Sequence, residues 1–167
     1  MEDTRFGHKY APAPIRIMQL TQGTMQQHDS TADLAIQWKT QNITSACFTH
    51  STSTNSHQIT CNEDGWVDVR YSIQYDQDDT ARLNTTAYLT LNGSVVDYST
   101  GNRTYYRGLT YGKWGTANAA FYLPLEEDDV IELHSGVAVG NTNFTLNRQI
   151  DTVPDITWIQ LRHIGGS

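Results

Sequence analysis

The sequence predicts an all-β protein, a sandwich of two antiparallel sheets, on three observations. Between Gly65 and Tyr75, Val67, Val69, Tyr71, Ile73 and Tyr75 fall on one face and Asp68, Arg70, Ser72 and Gln74 on the other, the two-residue period of a half-buried strand. A second alternating run, Ala87-Tyr88-Leu89-Thr90-Leu91, ends in Asn92-Gly93. That dipeptide tolerates positive φ and suits a two-residue hairpin, so Ser94 to Tyr98 is expected to return beside the run. Hydrophobic residues make up only 38% of the 167, and Thr, Ser, Asn and Gln fill much of the remainder, as in a thin sandwich with solvated outer faces. A chain of this length buries roughly 70% of its unfolded surface around one core, so its stability requires neither disulfide nor metal.

Taken in order, residues 1–14 are polar, mixed in charge and punctuated by Pro12 and Pro14, which excludes a helix or a central strand. They are expected to form an extended arm in which Arg5, Phe6, Tyr10, Pro12 and Pro14 anchor the chain to another surface, since Phe6 and Tyr10 have no partner strand of their own. An unstructured tail is the alternative. The domain then spans 15–167. Ile15 to Leu20 is expected as a first strand, followed by a Gln, Thr and Asp loop and by Leu34-Ala35-Ile36-Gln37-Trp38 as a second.

Cys47-Phe48-Thr49-His50 and His57-Gln58-Ile59-Thr60-Cys61 flank a Ser/Thr/Asn loop. A hairpin centred near Thr54 would set Cys47 opposite Cys61, with His50 near His57. Three readings of that group stand side by side. They are buried reduced thiols, a cross-strand disulfide, and a zinc site made from both cysteines and both histidines, whose spacing matches no established finger.

Further on, Arg103 to Arg107 precedes an aromatic, glycine-rich stretch in which Tyr105, Tyr106, Tyr111 and Trp114 would contact a sugar or a protein, or else pack on the sandwich itself. Ala119, Phe121, Leu123 and Leu125 alternate inward with Pro124 on the outer phase. Glu126-Glu127-Asp128-Asp129 reads as a solvated turn, with calcium as the alternative. Val130 to Val139 is a strand expected to slip phase at Ser135-Gly136, as a bulge would cause. Phe144-Thr145-Leu146 and Ile156 to Ile164 complete nine or ten strand candidates, which suits an eight-stranded jelly roll with one or two short additions.

A glycine-aromatic start to a long strand, a later strand ending Leu91-Asn92-Gly93, an aromatic return, and a leucine-rich strand turning through acids into Val130-Ile131-Glu132-Leu133 together resemble the complement globular-head and tumour necrosis factor (TNF) jelly roll. The resemblance covers roughly Ile15 to Ile164. One departure is Glu126-Glu127-Asp128-Asp129, where that family usually turns through Gly-Asp. The resemblance implies a homotrimer packed through aromatic and aliphatic residues of one sheet, for which Tyr71, Tyr75, Tyr88, Tyr122 and Trp158 are the candidates. The chain carries no collagen-like repeat of the kind that precedes complement-type heads.

Charge and motif content narrow the function. A net charge of −7, with 11 basic residues scattered singly, argues against a nucleic-acid partner. No run reaches the length of a membrane span, and Met1-Glu2-Asp3-Thr4-Arg5 is not a signal peptide, so synthesis and assembly are expected in a host cytoplasm. The Asn-x-Thr/Ser triplets at Asn42, Asn84, Asn92, Asn102 and Asn143 are expected from a Thr- and Asn-rich composition. No nucleophile elbow, phosphate loop or dinucleotide fingerprint occurs, and the six histidines are dispersed, so neither catalytic residues nor a cofactor are expected.

The expected function is structural. The chain looks like a bacteriophage capsid decoration, or cement, protein that forms trimers on the virion surface, with the major capsid protein as partner and residues 1–14 as the strap. The alternative is a fibre-tip head that binds a host-surface glycan or protein through Tyr105, Tyr106, Tyr111 and Trp114.

Overall fold

Strict alternation over long runs, with Gly, Asn and acidic turns between them, leaves this chain few ways to bury apolar surface other than two facing sheets. The structure, a computed structural model, describes residues 16–23, 26–28, 33–77, 83–101, 104–106, 114–139, 150–152 and 157–165. Its strands are β1 (Ile17–Thr21), β2 (Gln27–His28), β3 (Leu34–Ala35), β4 (Thr40–Ile43), β5 (Phe48–His50), β6 (Gln58–Cys61) and β7 (Gly65–Gln77). They continue as β8 (Leu83–Leu91), β9 (Ser94–Val95), β10 (Thr104–Tyr106), β11 (Trp114–Leu125), β12 (Val130–Val139), β13 (Ile150–Thr152) and β14 (Trp158–Gly165), with one 3-10 turn at Asp97–Ser99. Among the described residues no helix is long and apolar enough to cross a membrane.

All pairings are antiparallel. In the first sheet β7 is central: β11 runs along one flank from Trp114 opposite Asp76 to Leu125 opposite Gly65. The other flank is shared in line by β13 and β14, and β1 and then β4 follow beyond β14. The second sheet runs β10, β8, β12, β6, β5, with β3 against β12 and β9 against β8. Val67, Val69, Tyr71, Ile73 and Tyr75 of β7 point inward, as their spacing predicts, against Leu89, Ile131, Leu133 and Ile59 of the facing sheet, and all are buried. Each such aliphatic side chain contributes about 1.5–3 kcal/mol of burial.

The hairpin forms at Asn92-Gly93, both at positive φ (51° and 79°), with Leu91 opposite Ser94. The return strand is shorter than the sequence suggests. Only Ser94–Val95 pairs, because the buried Ser99 turns the chain: its hydroxyl donates to the Val96 carbonyl at 2.6 Å and accepts from the Leu89 amide at 2.8 Å. The expected strand from Leu34 to Trp38 is likewise cut to β3. Ile36 and Trp38 are fully buried, but the chain between them is irregular and anchors through single bonds, Ile36 N to Leu133 O and Trp38 N to Ser56 O, both 2.8 Å.

The bulge expected at Ser135-Gly136 is absent. β12 stays in register with β8 from Ile131 opposite Leu91 to Val139 opposite Leu83, and Ser135 keeps the inward phase because its hydroxyl meets the Tyr75 phenol inside the core. The acidic turn needs no glycine, since Asp128 takes the left-handed position at φ 70°. Residues 1–14 of the expected arm, including Arg5, Phe6, Tyr10, Pro12 and Pro14, lie outside the described residues. So do Tyr111 and the expected strand Phe144-Thr145-Leu146.

Candidate functional site

Two-residue alternation leaves the even-numbered residues of β7 and β11 on the outer face of the first sheet. Pro124 stands opposite Trp66 and Tyr122 opposite Asp68, which sets Tyr122 diagonally from Trp66. On the other side of β7, Arg162 faces Asp68, and the register break between His163 and Gly165 brings Ile164 beside Trp66. The result is an apolar patch at one end of the sheet: Trp66 is 50% exposed, Tyr122 59% and Ile164 55%. Arg70 closes it on one side, donating through Nε and Nη2 to the Asp68 carboxylate at 2.9–3.2 Å, and that carboxylate holds the guanidinium above its already high pKa. Asp68 thus compensates Arg70, while exposed Arg162, across from Asp68 on β14, adds a cation to the rim of the patch.

The expected interface residues separate into three groups. Tyr122 lies in the patch, and half-buried Trp158 lies on the same face opposite Ser72. Tyr88 is on the outer face of the other sheet. Tyr71 and Tyr75 are corrected to core residues: the Tyr71 phenol donates to Ser99 O at 2.6 Å, the Tyr75 phenol meets Ser135 Oγ at 2.9 Å, and burial pushes both phenols up in pKa. Period-two spacing marks them as facing one way without saying which way is out. Of the aromatic stretch, Tyr105 is exposed, Tyr106 completes β10 and Trp114 opens β11.

On the outer face of the second sheet, Glu132 accepts from Gln58 Nε2 at 2.9 Å and pairs with His134 Nε2 at 3.1 Å and His57 Nε2 at 3.6 Å. Burial alone raises its pKa, but the Gln58 and His134 hydrogen bonds and the imidazole charges outweigh that and hold the carboxyl below its usual range. Tyr88 stacks on the His134 ring and hydrogen-bonds Asp33, and burial followed by Asp33 pushes its phenol up.

A second cluster sits at the end of the sandwich where β5, β7 and β14 meet. The ligand atoms of Cys47, Glu63 and His163 all lie within 4.8 Å of one another, the single such group of metal-binding type among the described residues. His163 Nδ1 is 3.6 Å from Glu63 Oε1 and 2.9 Å from Arg16 Nη1; Arg16 Nη2 is 3.1 Å from Glu63 Oε1. Because a guanidinium can only donate, Nδ1 accepts and the ring proton is on Nε2, which donates to Asp64 O at 3.2 Å. Burial and then Glu63 push the Cys47 thiol up, while the Cys47 hydrogen bond pulls Glu63 down.

The hairpin does not bring together the four residues of the expected zinc site. Phe48, not Cys47, stands opposite Cys61. His50 donates to Ser56 O at 3.1 Å and accepts from Gln41, and His57 faces Glu132. Both cysteines are buried free thiols. Neither Glu63 nor His163 was marked by the sequence, since nothing local signals a meeting between residues so far apart.

Beside this cluster an open cleft of about 730 Å³ is lined by Trp66, Leu91, Pro124 and Leu125 and by Asp64, Glu126, Glu127 and Asp129. Two of these acids hold the turns. Asp129 takes the Glu126 amide at 2.8 Å and the Asn92 side chain at 2.6 Å, and Asp64 takes the Glu127 amide at 2.7 Å.

No protein-family profile matches the sequence, and a search of curated proteins finds no relative. Solved structures do match. Murine APRIL at pH 8.0 superposes with a TM-score of 0.57 at 10% identity, over 89% of this chain and 98% of that one. Eiger TNF from S. frugiperda superposes with a TM-score of 0.57 at 11% identity, over 92% and 95% respectively. At such identities the likeness shows the fold, and the fold is a TNF-like jelly roll.

Proposed function

We propose that this chain is a self-associating structural head: three copies pack through the outer face of the first sheet, and the trimer decorates a larger shell as a capsid decoration protein. The observation that carries the proposal is the apolar patch of Trp66, Pro124, Tyr122 and Ile164. A group of large exposed side chains on the outer face of a sheet, bordered by the Asp68–Arg70 ion pair, is the kind of surface that closed cyclic symmetry buries. The TNF-like fold supports a trimer as the form of that closure. The Arg5, Phe6 and Tyr10 side chains of residues 1–14 supply the strap onto the major capsid protein.

The role is mechanical. Each trimer that bridges several shell subunits adds its binding free energy to the work of separating them. The test is native mass of the full chain, followed by binding to purified capsids with and without residues 1–14. A monomer at working concentration overturns the trimer, and full occupancy by the truncated chain overturns the strap.

Exposed Tyr105 on the edge strand β10 favours a second reading, a receptor-binding head for a host-surface glycan or protein. Retained binding to host cells by Tyr105→Ala would remove it.

A further inference from the structure

We propose that Cys47, Glu63 and His163 form a zinc site whose position the Arg16 guanidinium holds in the metal-free protein. The donor set of one thiol, one imidazole and one carboxylate is that of a borderline-soft divalent ion, and three protein ligands leave the fourth tetrahedral position to water. Zinc bonds to such atoms imply edges of about 3.3–3.8 Å between ligands. The His163 Nδ1 to Glu63 Oε1 distance is already 3.6 Å.

The imidazole is prepared as a ligand. Its Nε2–H donates to the Asp64 carbonyl, the outer hydrogen bond that fixes the tautomer and aim of metal-bound histidines, and its Nδ1 lone pair points into the cluster. The ring cannot swing away. It lies edge-on to Phe48 at 6.4 Å, and a Cβ on Gly65 would come within 2.7 Å of Nε2, so a glycine there leaves room for the ring.

Arg16 marks where the positive charge goes. Its two terminal nitrogens bridge Nδ1 of His163 and the Glu63 carboxylate, the same atoms a metal would join. Arg16 and Glu63 are each more than a third exposed, while Cys47 and His163 are buried, so an ion enters from the Arg16 side and displaces a flexible side chain into solvent. On binding, the Cys47 S–H bond breaks, its proton passes to solvent, and an S–Zn bond forms. Thiolate and carboxylate together then balance the two charges of the ion. Cys61, whose Sγ donates to the Glu63 backbone carbonyl at 3.1 Å, stays outside the shell.

The experiment uses the full chain, stripped with chelator and titrated with cobalt and then zinc. The expected result is about one equivalent bound, with a thiolate-to-cobalt charge-transfer band that zinc bleaches. Cys47→Ser loses the band, Glu63→Ala weakens binding, Cys61→Ser leaves it intact and Arg16→Gln tightens it. Glu63 is a surface carboxylate, so its variant reads out binding even if Cys47→Ser fails to fold. Absence of the band at stoichiometric metal, a band that survives Cys47→Ser, or unchanged affinity in both Glu63→Ala and Arg16→Gln overturns the site.

Discussion

Tyr75 and Ser135 meet hydroxyl to hydroxyl at 2.9 Å inside the core, one from each sheet. The contact joins the layers at a point where the alternation of β12 would otherwise call for an aliphatic residue. Tyr75→Phe leaves the Ser135 hydroxyl short of a partner and should cost about 1–2 kcal/mol in urea unfolding, with Ser135→Ala costing less because the Tyr75 phenol keeps the Thr86 carbonyl at 3.3 Å. The double variant should cost less than the sum. Strict additivity would show that the two hydroxyls stabilise the fold independently.

Gly93 and Gly65 both sit at positive φ, 79° and 154°, yet their surroundings differ. A Cβ at Gly93 meets nothing within 4 Å, so Gly93→Ala should cost only the backbone strain of about 1–2 kcal/mol. At Gly65 the same Cβ would stand 2.7 Å from both the Gly165 carbonyl and the His163 ring. Gly65→Ala should therefore be the more damaging by a clear margin in thermal unfolding, and equal losses would contradict the packing of β7 against β14.

Glu132 gives the fold an acid-sensitive component. Its carboxyl is held below the ordinary value of 4.5, so the stability it contributes is complete above that pH and fades as pH falls through the folded value. Glu132→Gln should be less stable than the parent at neutral pH, and the two unfolding curves should converge in acid. A gap that persists unchanged well below pH 4.5 would show that the carboxylate charge is not what Gln58, His57 and His134 are reading.

The apolar patch predicts a separation of association from folding. Trp66→Asp and Tyr122→Asp alter exposed positions, where substitutions usually change monomer stability by no more than about 0.5 kcal/mol. Sedimentation should show lighter particles with the melting temperature of the dissociated protein unchanged. Heavy particles of undiminished mass in both variants would place any self-contact elsewhere.

What was legible in the sequence follows from how local its signal is. β7, the Asn92-Gly93 hairpin and the inward set Ala119, Phe121, Leu123 and Leu125 of β11 are written in period-two alternation and turn chemistry, and the structure has them. The stretch from Leu34 to Trp38 carries similar hydrophobes but pairs only at its start, because Ile36 and Trp38 are buried without a continuous ladder. The short polar strands β2, β4 and β13 have too few residues for alternation to register. Of the site, Tyr122 stands out in the sequence by its residue type, whereas Trp66 and Ile164 join it only through cross-strand register. The Cys47, Glu63 and His163 cluster depends on β14 lying beside β7, a pairing no local pattern announces.

That same pairing governs the order of assembly. β14 is the last of the described strands to be synthesised, yet it is wedged between β1 and β7. Until residues 158–165 have left the ribosome, the β1–β4 and β7–β11 ribbons lack the strand that pairs with both, and the stretches of β1 and β7 edge that it fills stay unpaired. Nascent chains halted before that point should be captured by chaperones and cut readily by proteases, and protection should arrive in one step when the wedge inserts.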